Sequence, residues 1–146
     1  MARYTAGALT TAGSTLLPLI SLYSGAATAG RIREIGVSNT TSTRLALKLV
    51  RLTTTGTQGA GLTEGKHDPS SSAASCTAFN THSANPTLGD DLGYRTHLGP
   101  AEGAGWVFTF WNDSGLLVPV GVTNGIGVIV ENGTGQPVQG YITWDE

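Results

Sequence analysis

The stretch GVTNGIGVIVENGTG, Gly121 to Gly135, sets two Asn-Gly pairs around one apolar run, and its reading decides the fold. Asn and Gly both tolerate the positive φ that tight turns need, so Asn-Gly is a strong short-range turn signal. Strand, turn and strand again is the expectation, and the same grammar runs outward from it. In TRLALKLVRL, Leu45, Leu47 and Leu49 fall on one face while Arg44 and Lys48 fall on the other, as in an antiparallel strand with one wet side. RIREIGVSN puts Arg33, Ile35 and Val37 together and is followed by the turn-rich NTTST. These two segments are expected as a hairpin, or as neighbours across a short connection. GWVFTFWNDSGLLVPV reads as strand, turn and strand, with Asn112 to Gly115 as a type I turn closed by a left-handed glycine. Its aromatic residues occupy both faces, Trp106, Phe108 and Phe110 on one and Trp111 on the other, which predicts a central strand.

About nine such segments at short, regular spacing, with no 3.6-residue periodicity, predict an all-β fold. The expected architecture is an antiparallel β-sandwich, jelly-roll-like, with an extended N-terminal arm. The opening MARYTAGALTTAGST has little to bury by itself, so residues 1–15 are assigned to the arm and residues 16–146 to the sandwich domain. Between Thr55 and Asp91 the alternation lapses into a long irregular loop rich in Gly, Ser, Thr and Pro. Only SSAASCTAFN within it has the apolar content for a short helix or an edge strand. A connection of this length is a binding loop, a piece packed on a partner, or a solvated loop.

Composition narrows the function classes. Charged residues make up 12% of the chain, about half the ~25% usual for soluble domains, so polarity comes from hydroxyls. The net charge is −2 and no run of Lys or Arg occurs, which argues against nucleic acid as a partner. No stretch of about 18 apolar residues is present to span a membrane. LLPLISL is short, is broken by Pro18 and follows a single basic residue, Arg3, so it makes a weak signal peptide. Cys76, the one cysteine, reads as a small buried side chain, and folding without disulfides fits cytosolic synthesis.

Catalytic constellations are absent from the sequence. His67, His82 and His97 show no metal-ligand spacing, and neither Ser14 nor Ser114 lies in a nucleophile elbow. Asp90-Asp91 and Asp145-Glu146 are adjacent pairs, which on a strand point to opposite faces. No cofactor is expected, and the chain is not read as an enzyme. The aromatic residues Trp106, Trp111, Trp144, Tyr4, Tyr23, Tyr94 and Tyr141 offer a different route, through stacking on sugars. Core packing is the favoured reading for Trp144, which alternates with Ile142, and for at least one of Trp106 and Trp111. A sugar platform remains open but has no polar cluster beside it in the sequence.

ARYTAGALTTAG, the pair RIREIGVSNTTST and LALKLVRLTTTGTQG, and the terminal YITWDE together resemble a group of small virion proteins of tailed bacteriophages. The resemblance implies a jelly-roll-like capsid decoration (cement) protein, commonly a homotrimer, that binds the outer surface of the head and bridges major capsid subunits. It implies the virion as destination after synthesis in the host cytoplasm, with the major capsid protein and the chain itself as partners. Ala2, Arg3, Tyr4, Thr5 and Leu9 are then expected to make the arm's capsid contacts. Trp106, Phe108, Phe110, Trp111 and Trp144 are expected in the core or at a subunit contact. The alternative is a receptor- or glycan-binding sandwich module of a phage tail or fibre.

Overall fold

A computed structural model describes residues 1–110 and 114–146. The described residues form eleven strands and no helix: β1 (Arg3–Leu9), β2 (Ile20–Tyr23), β3 (Gly30–Asn39), β4 (Leu45–Leu52), β5 (Gly65–Lys66), β6 (Thr77–Phe79), β7 (Leu88–Leu98), β8 (Gly105–Thr109), β9 (Leu116–Val118), β10 (Gly125–Asn132) and β11 (Val138–Asp145). Sheet I has the order β5-β1-β11-β3-β8, with β9 also paired to β3. Sheet II has the order β6-β2-β10-β4-β7, and every pairing in both sheets is antiparallel. The two sheets face each other across one apolar layer, an antiparallel β-sandwich.

No two strands consecutive in sequence are hydrogen-bonded to each other. The expected hairpin of β3 and β4 is therefore replaced by a crossing, since β3 lies in sheet I and β4 in sheet II. The Asn132-Gly133 turn, with Gly133 at φ +78°, likewise carries the chain from one sheet to the other, from β10 to β11. β8 and β9 both run antiparallel to β3 along the same edge, so they are collinear pieces of one interrupted strand. The turn expected at Asn112 to Gly115 falls mostly outside the described residues. Trp111, Asn112 and Asp113 fall outside the described residues, and Gly115 has the left-handed φ of +59°. The segment from Trp106 is an edge strand rather than a central one. Phe108 and Phe110 face the core, while Trp106 is 53% exposed.

Residues 1–15 do not form a separate arm. β1 sits inside sheet I between β5 and β11, with Tyr4 and Ala6 buried, because its alternation matches that of β11 over seven residue pairs. Tyr4 lies opposite Trp144, and their rings stack at 5.7 Å between centroids. Next along β11, the Asp145 carboxylate accepts from Arg3 Nε at 2.7 Å, Arg3 Nη2 at 3.1 Å and Arg33 Nε at 2.7 Å. Burial alone raises the Asp145 pKa, but hydrogen bonds and charge from the two arginines outweigh it and hold it below the ordinary carboxylate value. One side chain thus fastens β1, β3 and β11 at one end of the sandwich.

The long loop is packed on its own protein. Outward-facing Tyr23, Val50, Leu52 and Ile129 of sheet II form a second apolar cluster with Phe79 and Leu88. Residues 53–62 and 78–87 lace together beside it through Thr53 N to Thr87 O, Thr57 N to Ala84 O, Leu62 N to Ala78 O and Asn80 N to Ala60 O. SSAASCTAFN supplies the edge strand β6, and residues 88–91 belong to β7. Beneath this covering lies His82, 2% exposed, with Nε2 at 2.9 Å from Ser21 Oγ and its ring stacked on Tyr23. Its Nδ1 has no partner of hydrogen-bond geometry. Burial pushes its pKa below the usual 6.5, against a smaller opposing influence from the Thr55 backbone.

Trp144→Ala is expected to cost about 3–5 kcal/mol, a large share of the total for a domain of this kind. Denaturant unfolding measures this. The unfolded chain protonates His82 more readily than the folded one, so stability should fall as pH drops through about 6.5 and keep falling until the folded ring is protonated. His82→Gln should flatten that part of the pH–stability profile. An unchanged slope would show that the buried imidazole does not carry it.

Candidate functional site

The outer face of sheet I is built from three cross-strand rows. The first is Thr5, Thr143, Glu34 and Thr109. The second is Gly7, Tyr141, Gly36 and Val107, and the third is Leu9, Gln139, Ser38 and Gly105. The second and third rows leave an open trough of about 680 Å³, bounded at the β8 edge by Trp106. Among the described residues, no Lys, Arg, Asp or Glu lines it.

Glycine shapes this trough by what it omits. A Cβ on Gly36 would sit 2.1 Å from Tyr141 Cε1, so the Tyr141 ring lies down over the β3 backbone. A Cβ on Gly7 would sit 2.9 Å from Tyr141 Cβ. Interior strand glycines commonly mark such close approaches. The Tyr141 hydroxyl donates a short hydrogen bond to Glu34 Oε1, which fixes the ring's far end. Burial, followed by the Glu34 hydrogen bond and charge, pushes the phenol pKa up to about 12, so it remains a proton donor at neutral pH. Beside the ring, Thr5 Oγ1 lies 2.9 Å from Thr143 Oγ1 and 2.8 Å from His67 Nε2. Among the described residues, the Ser38 hydroxyl and the Gln139 amide make no side-chain hydrogen bond within the protein.

A second exposed surface lies at the end of the sandwich where Arg3, Asp145, Arg31 and Leu117 are register partners. Residues 119–124 form a loop there, with Val120 49% and Val122 58% exposed. The loop is firmly tied. Ser24 Oγ donates to Pro119 O and Gly121 O, Asn124 Nδ2 donates to Val120 O, and Gly121 N donates to Gly25 O.

The residues singled out from the sequence are dispersed. Ala2 exchanges backbone hydrogen bonds with Glu146, Arg3 bonds Asp145, and Tyr4 is in the core. Thr5 and Leu9 lie on the outer face, with Leu9 55% exposed. Phe108 and Phe110 are buried, each meeting Tyr94 edge-on, and Trp144 is fully buried. Trp111 lies outside the described residues. His67, His82 and His97 have separate partners in Thr5, Ser21 and Glu131, and no three His, Cys, Asp or Glu among the described residues could hold a metal ion. The sequence reading named Tyr141 only as one of seven aromatic residues open to sugar stacking, and it missed Gly7 and Gly36. The available signal was glycine inside strands at 7, 36, 105 and 140, which becomes meaningful only once the register aligns three of these with Tyr141 or its neighbours. Comparison with known family models, curated proteins and solved structures returns no match for the chain.

Gly36→Ala should lift the Tyr141 ring off the sheet and separate its hydroxyl from Glu34. The Tyr141 phenol, followed site-specifically by NMR, is then expected to titrate closer to 10, the ordinary value. A titration unchanged from the parent would mean that the ring does not depend on that glycine.

Proposed function

We propose that this protein is a structural virion component, a decoration (cement) protein that binds the outer surface of a tailed-phage head. In this reading it acts as a trimer, bridges neighbouring major capsid subunits, and joins the virion after synthesis in the host cytoplasm. The strand order supports the jelly-roll part of the proposal. β1-β11-β3-β8 facing β2-β10-β4-β7 is an order compatible with two Greek keys wrapped into a roll, an architecture used by viral capsid and lectin domains. Fold alone does not assign a task, so the weight falls on a surface.

The observation that carries the reading is the tied apolar loop at the end shared by both termini. From Ser114 to Val130 the chain carries no charged residue, and Leu117, Val120 and Val122 are all exposed. Interface centres are depleted in Lys, Glu and Asp, which suits this surface to a protein partner. Its hydrogen bonds to Ser24, Gly25 and Asn124 hold it in place before contact, so docking orders little that was mobile. Three such loops on a trimer would engage a repeating lattice together, the second and third at high effective concentration.

The test is a Val120→Asp, Val122→Asp double variant added to heads that lack the protein. Both side chains are exposed, so stability should change by no more than about 0.5 kcal/mol for each. Binding to heads should be lost. Occupancy equal to that of the parent protein would remove this loop as the attachment surface.

A further inference from the structure

We propose that the trough on the outer face of sheet I is a binding site for a neutral oligosaccharide, with Tyr141 as its stacking platform. The site is distinct from the proposed lattice-binding end. Four strands spaced about 4.8 Å apart make it roughly 14 Å long, enough for about two or three linked pyranose rings.

The fit rests on the chemistry of the lining. A pyranose presents a C–H face, best matched by a flat immobile ring, and an equatorial rim of hydroxyls that both donate and accept. Tyr141 supplies the ring, laid flat by Gly36 beneath it and Gly7 beside it, and anchored by its hydroxyl on Glu34. Because the ring is already held, stacking on it demands no ordering of a mobile side chain. The Ser38 hydroxyl and the Gln139 amide each donate and accept, and neither is engaged within the described protein. The polar cluster that a sugar platform requires is thus present one row from the ring.

Charge selects against other ligands. Without a Lys or Arg in the lining, a phosphate or a uronic acid would find no counter-charge. The one acid on these rows, Glu34, is occupied by the Tyr141 hydroxyl. An aliphatic protein surface is a poorer match, because Ser38 and Gln139 interrupt the floor of glycine backbone, and Trp106 and Val107 stand only along its β8 side. The other sheet offers no equivalent. Its outer face is covered in part by residues 53–62 and 78–87 and crossed by the ion pairs of Lys48, Asp91, Arg95 and Glu131.

The experiment is an NMR titration of the ¹⁵N-labelled full chain with maltotriose, cellotriose, mannotriose and chitotriose, and with an oligogalacturonate as the acidic comparison. At least one neutral trisaccharide should give saturable shifts at the Gly7, Gly36, Gly105 and Gln139 amides, and the oligogalacturonate should give none. Tyr141→Ala should abolish those shifts, and Gln139→Ala, an exposed change that leaves the fold intact, should weaken binding about tenfold. The Val120→Asp, Val122→Asp variant should bind the sugar like the parent, so this proposal and the attachment proposal fail separately. The proposal is overturned if no neutral trisaccharide shifts these amides, or if the acidic oligomer shifts them as strongly. It is also overturned if Tyr141→Ala leaves sugar binding intact.

Discussion

The last strand of the chain lies between the first and the third, and sheet I cannot close until β11 has been inserted. Several of its side chains hold the sandwich together. Trp144 and Ile142 fill the core, Asp145 clasps Arg3 and Arg33, and Tyr141 lies across the outer face. The partners of β11 are distant in sequence, as the Arg3–Asp145 and Arg33–Asp145 pairs show with separations of 142 and 112. A fold whose strand pairings are all non-local must close long loops before most of its contacts form, which places it among the slow folders. Once formed, it is stiff, because each strand is locked by segments that cannot leave independently.

The two sheets spend their outer faces differently. Sheet II is covered by the chain itself, with Phe79 and His82 of the laced segments packed on Tyr23, and a row of ion pairs elsewhere. Sheet I keeps its outer face bare, and glycine there exposes backbone and one flat ring in place of bulky side chains. The apolar loop around Val120 sits at a third location, the end where both termini emerge. A rigid body with one covered side, one open trough and one apolar tip suits a protein that binds through several surfaces at once.

Local pattern made much of the fold legible. Leu45, Leu47 and Leu49, and Ile142 with Trp144, announced strand and core face through simple alternation, and each is buried where the alternation puts it. Partner choice was not legible. The Asn132-Gly133 turn reverses the chain as its residues predict, yet the strands it joins belong to different sheets, because a turn signal encodes local φ and says nothing about which neighbour a strand finds. The N-terminal segment looked too small to bury anything, and Tyr4 is buried only because Trp144 is waiting opposite. Trp106 looked internal by its aromatic neighbours, but an edge position leaves it open. The trough was invisible for the same reason as the sheet order: Gly7, Gly36 and Tyr141 come from three distant segments that meet only through register.

The proposed role of this β-sandwich, adhesion to a protein lattice, is addressed most directly by stoichiometry. Quantitative mass spectrometry of purified phage particles that carry the chain would count its copies against the major capsid protein, with heads and tails separated. The account predicts copies in a fixed ratio of the same order as the capsid subunit, all in the head fraction. A handful of copies per particle, or recovery with the tails alone, would contradict it.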